Sequence, residues 1–214
     1  MAILHRADVR PTKLELIHDW LPRQPWYPGG ADPQLLAVGA YRFDDPDGEV
    51  GVETHLVRID DGPLLQVPLT YRGAPLPGRE QWLVGTMEHS VLGRRWVYDA
   101  CADPVYTATL AATILGGRAQ AELLIDLDGR LERRTPTVSV RGAGSPGDAL
   151  PVVEGVEQLS CSTDGDRTVI HSAGLALTVL RVVDTSVHGS DEHALTGTWA
   201  DQEEPVLLAT ARRT

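Results

Sequence analysis

The sequence predicts an α+β protein dominated by a curved antiparallel β-sheet, with one long and one short helix packed on it. Runs rich in β-branched and aromatic residues cover most of the chain. Asp-Gly pairs separate several of these runs and supply the positive φ angles that tight hairpins need. Only two stretches carry helix signals, and the part beyond residue 150 is predicted to be mostly β.

The short helix follows a capping box. Thr12 and Glu15 have the spacing at which the hydroxyl accepts from a forward amide and the carboxylate reaches back. Leu14 and Ile17 then fall on one helical face, and Pro22 is expected to end the helix.

Four strands are predicted before residue 73, at residues 2–9, 35–43, 49–59 and 64–72. Asp47-Gly48 and Asp61-Gly62 stand between the last three, which indicates an antiparallel meander. Pro68 lacks an amide hydrogen, so it favours an edge position or a bulge in its strand.

The organising stretch is residues 83–115, which runs from a loop through a strand at 96–98 into the long helix. Asp103-Pro104 has the residue types of a helix start, because Asp accepts from free amides and Pro tolerates the first position. Gly116-Gly117 ends the helix. We expect this helix to lie across a sheet that includes residues 96–98.

Two strands joined at Asp128-Gly129 are predicted after the helix, followed by a linker at residues 142–148. The linker divides the chain into two predicted domains, residues 1–141 and 150–214. Five strands are expected in the second domain, with a hairpin at Asp164-Gly165.

Composition narrows the function. The net charge of −11 argues against nucleic acid and anionic membrane as partners, because both would repel the chain. Cys101 and Cys161 have no CxxC partner, which is typical of a reducing compartment. No signal peptide or apolar run of about 20 residues is recognisable, so we expect a cytoplasmic protein.

Three segments, HDWLPRQPWYPGG, LLQVPLTYR and GRRWVYDACADPVY, together resemble the N-terminal cap of bacterial maltokinases, which phosphorylate maltose with ATP in the trehalose–glycogen pathway. The residues that carry the resemblance are Trp20, Leu21, Gln24, Trp26, Tyr27, Gly29, Tyr98 and Asp99. The resemblance covers roughly the first 125 residues. It implies a curved antiparallel sheet with helices against it, in agreement with the pattern above.

The resemblance also implies that the tail is a degenerate kinase small lobe, beginning near Glu157-Gln158. The strand that should carry the phosphate-binding lysine is residues 175–183, with Thr178 in that lysine's place. Lys13 is the chain's only lysine, and no GxxxxGK[ST] loop or second lobe is found in the 214 residues. We therefore expect no phosphoryl transfer and no cofactor.

The first functional hypothesis is thus a non-catalytic accessory or regulatory module of α-glucan, glycogen and trehalose metabolism, with an enzyme of that metabolism as its partner. The second is a binder of a carbohydrate or another small molecule, with Trp26, Trp82, Trp96 or Trp199 as the aromatic platform. The third is a hydrolase that uses Glu88, His89 and Asp99, although no GxSxG elbow supports it.

A ligand-binding surface is predicted where arginine and aromatic side chains adjoin, because such groups bind anions or stack on sugars. Its residues are Glu88, His89, Arg94, Arg95, Trp96 and Tyr98. The favoured interpretation is that the two arginines form structural bridges with Glu88 and Asp99.

Two further groups of residues could carry chemistry, but each also has a purely structural interpretation. His188, Asp191, Glu192 and His193 form the densest set of possible metal ligands, but a solvated acidic loop is favoured and no metal is expected. Cys101 with Asp103 resembles a nucleophile pair, but a small buried cysteine at a strand-to-helix junction is favoured.

Overall fold

The computed structural model describes residues 2–4, 8–127, 130–145, 158–172, 174–189 and 193–214. The α+β class is confirmed, since antiparallel sheet dominates and two α-helices accompany it in these residues. The helices are α1 (Lys13–Trp20) and α2 (Pro104–Gly116). No helix in the described part of the chain has both the length and the apolar character needed to cross a membrane.

The strands of the described residues belong to three sheets. In chain order they are β1 (Ala2–Leu4), β2 (Val9–Arg10), β3 (Leu35–Phe43), β4 (Gly51–Ile59), β5 (Leu64–Arg72), β6 (Leu83–His89), β7 (Gly93–Asp99), β8 (Leu123–Leu127), β9 (Arg130–Arg134), β10 (Val138–Gly142), β11 (Ser160–Asp164), β12 (Arg167–Ser172), β13 (Leu175–Leu180), β14 (Val182–Val183), β15 (Ala194–Trp199) and β16 (Gln202–Arg213).

The first sheet has the strand order β2-β6-β7-β5-β4-β3 and curls into a half-barrel. All its neighbouring strands are antiparallel, and the predicted meander β3-β4-β5 is confirmed. Its core on the α1 side contains Ile17, Trp20 and Trp26, with the two indole rings edge to face at 5.7 Å.

Pro68 lies in the interior of this sheet, so the expectation of an edge or bulge is wrong. The neighbour of β5 on one side is β14 at Leu65 and β7 from Leu69 onward. The amide of Gln66 points to that side, where it donates to the carbonyl of Arg181 at 2.9 Å. By the two-residue alternation of a strand, the nitrogen of Pro68 points there too, into the gap between the two neighbours, so its missing N–H costs no ladder bond.

The second sheet has the order β10-β15-β16-β13-β12-β11 and is antiparallel throughout. Its edge strand β10 comes from the predicted first domain, and it pairs with β15 of the predicted second domain. Helix α2 contacts the turn at residues 100–102, β10, β15 and β16 of this sheet, and β3 of the first. We expected it to lie across the sheet that includes residues 96–98, and it does touch that sheet at β3, but it packs more on the second. One core includes Tyr41, Leu110 and Leu177, from both parts of the chain. The division into residues 1–141 and 150–214 stays a prediction.

The third sheet has the order β1-β8-β9, with β1 parallel to β8. The strand predicted at residues 2–9 is therefore wrong in extent, since β1 and β2 join different sheets. Three strands, β8, β9 and β10, lie between α2 and the predicted linker in the described residues, where two were predicted. The predicted turn at Asp128-Gly129 and the linker beyond residue 145 lie outside the described residues.

The predicted helix ends are confirmed. The Asp103 carboxylate accepts from the Val105 amide at 2.9 Å, and Gly117 ends α2 with a φ of 60°. Thr12 and Glu15 form the capping box of α1.

The hairpins differ in detail from the prediction. Gly48 and Gly165 take positive φ angles of 73° and 57°, as expected. In the turn between β4 and β5, the positive φ falls on Asp60 instead of Gly62.

Candidate functional site

The predicted ligand-binding surface lies on the hairpin of β6 and β7. Glu88 stands opposite Arg94 across the two strands, and Arg94 Nε donates to Glu88 Oε1 at 2.7 Å. Both side chains are about three-fifths exposed, at 61% and 60%. An ion pair this exposed is worth less than about 1 kcal/mol, so it leaves both groups available to a partner.

His89 and Arg95 hold the turn of this hairpin. His89 Nδ1 accepts from the amides of Val91 and Leu92 at 3.2 and 3.1 Å. Arg95 Nη2 donates to the Leu92 carbonyl at 2.8 Å. These bonds place two apolar side chains in solvent, with Val91 55% and Leu92 48% exposed. We call Val91 and Leu92 the hairpin tip.

Trp96 and Tyr98 point to different environments. Trp96 is half-buried on β7, opposite Thr86 of β6 and Arg72 of β5. Tyr98 is buried, and its hydroxyl accepts from the Leu76 amide at 2.9 Å. Tyr98 is therefore enclosed by the loop before β6, and its ring is not presented to a ligand.

Asp99 belongs to a buried ion pair. Arg181 Nη2 donates to both of its carboxylate oxygens, at 2.8 and 2.6 Å, and Asp99 Oδ1 also accepts from the Cys101 amide. Arg181 Nε donates to Thr168 Oγ1 at 2.7 Å, and its guanidinium lies 5.0 Å from the centre of the Trp26 ring. The expected bridge from Asp99 to Arg94 or Arg95 is thus wrong, because Arg181 takes its place.

The positions of these side chains also argue against the hydrolase hypothesis. Arg94, which stands opposite Glu88, and Asp99 are five residues apart on β7. Five residues of extended strand span about 17 Å. His89 lies at the hairpin turn, opposite Gly93. Glu88, His89 and Asp99 therefore do not converge on one substrate.

A second group of charges was not predicted as a site. The Lys13 ammonium pairs with Glu53 and lies 5.4 Å from the centre of the Tyr71 ring. His55 Nε2 is 3.0 Å from the Tyr71 hydroxyl and 3.5 Å from Glu53 Oε2. Arg42 stands opposite Glu53 across β3 and β4. We call these five residues the Glu53 cluster.

The neighbouring side chains keep Glu53 ionised. Burial alone would raise the pKa of Glu53, but His55, Lys13 and Arg42 together hold that pKa well below its usual range. Burial, followed by the charge of Glu53, raises the pKa of Tyr71 well above its usual value. The alternation of Glu53 and His55 on one face of a strand was the sequence signal for this cluster.

The cysteines are structural. Cys161 Sγ donates to the Cys101 carbonyl at 2.8 Å. Burial raises the pKa of the Cys101 thiol well above its usual value and that of Cys161 to about 12, so neither is a thiolate at neutral pH. The carboxylate of Asp103 binds Arg72 through two bonds of 2.7 Å. The buried structural cysteine predicted at position 101 is confirmed.

No group of three or more His, Cys, Asp or Glu side chains in the described residues could hold a metal ion. Asp191 and Glu192 of the predicted ligand set lie outside those residues. His188 is described, and its Nδ1 lies 3.1 Å from the Pro205 carbonyl oxygen.

The tryptophans differ in their access to a sugar. Trp26 and Trp199 are buried, so two of the four predicted platforms are closed. Trp82 and Trp96 are half-buried.

An open groove of about 1090 Å³ lies beside α1. It is lined by Asp8, Val9, Arg10, Pro11, Thr12, Leu14, Glu15, His18, Asp19, Pro33, Gln34 and Leu35. No local sequence pattern indicates this groove, because its walls come from β2, α1 and the start of β3. His18 bonds Asp19 and Asp32, both at 3.0 Å, and these bonds raise the pKa of His18.

Comparison with known proteins finds a family model that matches part of the chain. Residues 20–103 match the maltokinase N-terminal cap domain, which confirms the predicted resemblance over this segment. The matched segment contains the meander, the hairpin of β6 and β7, and Asp99. No curated protein matches the chain.

Proposed function

We propose that this protein, which carries a maltokinase N-terminal cap domain over residues 20–103, is a non-catalytic accessory module of maltose 1-phosphate, glycogen and trehalose metabolism. It acts by binding an enzyme of that metabolism. The family match supports the metabolic link.

The observation that carries the non-catalytic role is the position of the chain's only lysine. Lys13 is at the start of α1, and its ammonium is paired with the buried Glu53. On β13, where the resemblance implies a phosphate-binding lysine, Thr178 lies between Val169 of β12 and Thr210 of β16. A kinase-like lobe needs a cation at this strand to hold the phosphates of ATP.

The hairpin tip is the surface best suited to the partner enzyme. Val91 and Leu92 project into solvent, and Arg94 and Arg95 follow them on β7. Exposed apolar groups beside arginine are typical of protein interfaces, in which arginine is enriched.

Affinity capture from native cells, with Val91→Ser/Leu92→Ser as the matched control, tests this proposal. Both side chains are about half exposed, so the variant should keep the thermal unfolding midpoint of the wild type. We expect wild-type protein to retain an enzyme of α-glucan or trehalose metabolism that the variant loses. Equal recovery of such enzymes by both proteins, or recovery by neither, contradicts the proposal.

The second candidate function is carbohydrate binding at Trp82 or Trp96. Trp82 favours it, because its indole ring is half-buried and leaves apolar surface on which a sugar could stack. Titration with maltose, trehalose and longer glucans should then change tryptophan fluorescence, and Trp82→Phe should remove the change. An unchanged spectrum at millimolar sugar excludes this candidate.

A further inference from the structure

The groove beside α1 lies at the open side of the curled first sheet. β2 and β3 are at opposite ends of the strand order, yet Val9 and Arg10 of β2 and Leu35 of β3 line the same groove. The two edges of the half-barrel therefore border one groove of about 1090 Å³. Helix α1 contributes Leu14 to the wall between them.

Both edges present backbone groups to this groove. The Asp8 carbonyl accepts from the Ser90 amide at 3.0 Å, so by alternation the N–H and C=O of Val9 point away from β6. The Gln34 carbonyl accepts from the Asp60 amide at 3.0 Å, so the N–H and C=O of Leu35 likewise point away from β4. Outward backbone groups of an edge strand are a template for an added strand.

The floor of the groove is apolar. Val9, Leu14 and Leu35 are partly buried and pack against the core of the first sheet. An extended segment places alternate side chains on one face, so every second residue of an added strand would meet this floor. No aromatic side chain is present in the described lining, which disfavours a sugar as the occupant.

The charged residues that line the groove favour a positively charged occupant. Asp8, Glu15 and Asp19 contribute three carboxylates, against the guanidinium of Arg10 and the imidazole of His18, whose pKa is raised by its bonds to Asp19 and Asp32. Asp32, which bonds His18, adds a further carboxylate at the rim. The chain as a whole carries −11, so both the local and the overall field attract a cation.

We infer that this groove binds an extended, basic segment of a partner protein, which adds a strand between β2 and β3. The segment is recognised by backbone hydrogen bonds to the two edges, by apolar contact with the floor, and by attraction to the carboxylates. The biological role of this groove rests on the proposed accessory function. The binding of a peptide to the groove, however, is measured without any partner enzyme.

The probe is a fluorescein-labelled octapeptide of alternating valine and arginine, titrated into the full-length protein and followed by anisotropy. Two matched peptides serve as controls, one with glutamate for arginine and one with N-methyl groups on alternate residues. We expect each control to bind at least tenfold more weakly, and the arginine peptide to weaken as salt rises. Equal binding of the glutamate peptide or of the N-methyl peptide overturns the inference.

The protein variant Asp8→Asn/Asp19→Asn removes two carboxylates of the lining, and we expect at least fivefold weaker binding. Asp201→Asn/Glu203→Gln makes the same change of charge at the exposed start of β16 and should bind as the wild type does. Equal loss in both variants overturns the inference.

Sedimentation adds a decisive control. A dimer that the peptide dissociates would place a second copy in the groove and overturn the inference of a foreign segment. Peptide binding without enzyme capture would overturn the accessory role alone, whereas capture without peptide binding would overturn the groove alone.

Discussion

Two arginine–carboxylate pairs of this protein have the same chemistry and opposite environments. Arg181 and Asp99 are 0% and 1% exposed, and their closest approach is 2.6 Å. Arg94 and Glu88 are 61% and 60% exposed and approach to 2.7 Å. The distances are nearly equal, so burial and the additional hydrogen bonds of the inner pair, not its closest approach, distinguish what each pair does for the fold.

The buried pair joins the two large sheets. Arg181 lies between β13 of the second sheet and β14 of the first, and Asp99 ends β7. A buried charge is tolerated only when it is paired and hydrogen-bonded, so this pair fixes how the sheets meet. The exposed pair is solvated on its hairpin and remains accessible to a partner.

The largest loss of stability is expected for Arg181→Met, which breaks the buried pair. The change leaves the Asp99 carboxylate buried without its cation, which typically costs about 3–5 kcal/mol. Urea unfolding followed by tryptophan fluorescence should show this loss of unfolding free energy. Adding Asp99→Asn to the same chain should restore part of it, because no buried charge then remains. A loss below about 1 kcal/mol for Arg181→Met would show that the pair does not join the sheets.

The Glu53 cluster lies between the two extremes, since Lys13 is 32% and Glu53 9% exposed. Glu53→Gln should cost about 1–3 kcal/mol at pH 7, because Lys13 and Arg42 lose their carboxylate. The folded-state pKa of Glu53 is depressed, so its stabilisation is present above its ordinary value of 4.5 and is lost as pH falls through the folded value.

Urea unfolding between pH 3 and pH 7 checks this sign. The difference between wild type and Glu53→Gln should shrink as pH falls below 4.5. A difference that stays constant or grows with acidity would contradict the electrostatic account of this cluster.

The smallest effect is expected at the hairpin. Arg94→Met and Glu88→Gln should each change the unfolding free energy by less than about 1 kcal/mol, because water already solvates both groups. The same urea titration measures this. A loss comparable to that of Arg181→Met would remove the contrast between the two pairs.

Local signals in the sequence predicted much of the fold. The strands at Leu35–Phe43 and Leu64–Arg72 match the structure, as do both ends of α2. Each of these depends on neighbouring residues, such as the Asp103 cap and Gly117. Propensity and capping act over a few residues, so they are visible without knowledge of the tertiary structure.

The pairings between distant segments were not predictable. Asp99 and Arg181 are 82 positions apart, and the sequence offered Arg94 and Arg95 as nearer partners for the same carboxylate. β10 joins the second sheet across the linker for the same reason. The groove depends on the curl of a whole sheet, which brings β2 to β3, so no single stretch encodes it.

The central claim is that this protein binds an enzyme and does not itself transfer phosphate. The direct test is incubation of the purified protein with ATP, magnesium and maltose, followed by mass spectrometry of maltose 1-phosphate. With Thr178 on β13 and Lys13 held by Glu53, we expect no product above the control without protein. Formation of maltose 1-phosphate in proportion to the protein added would contradict the account.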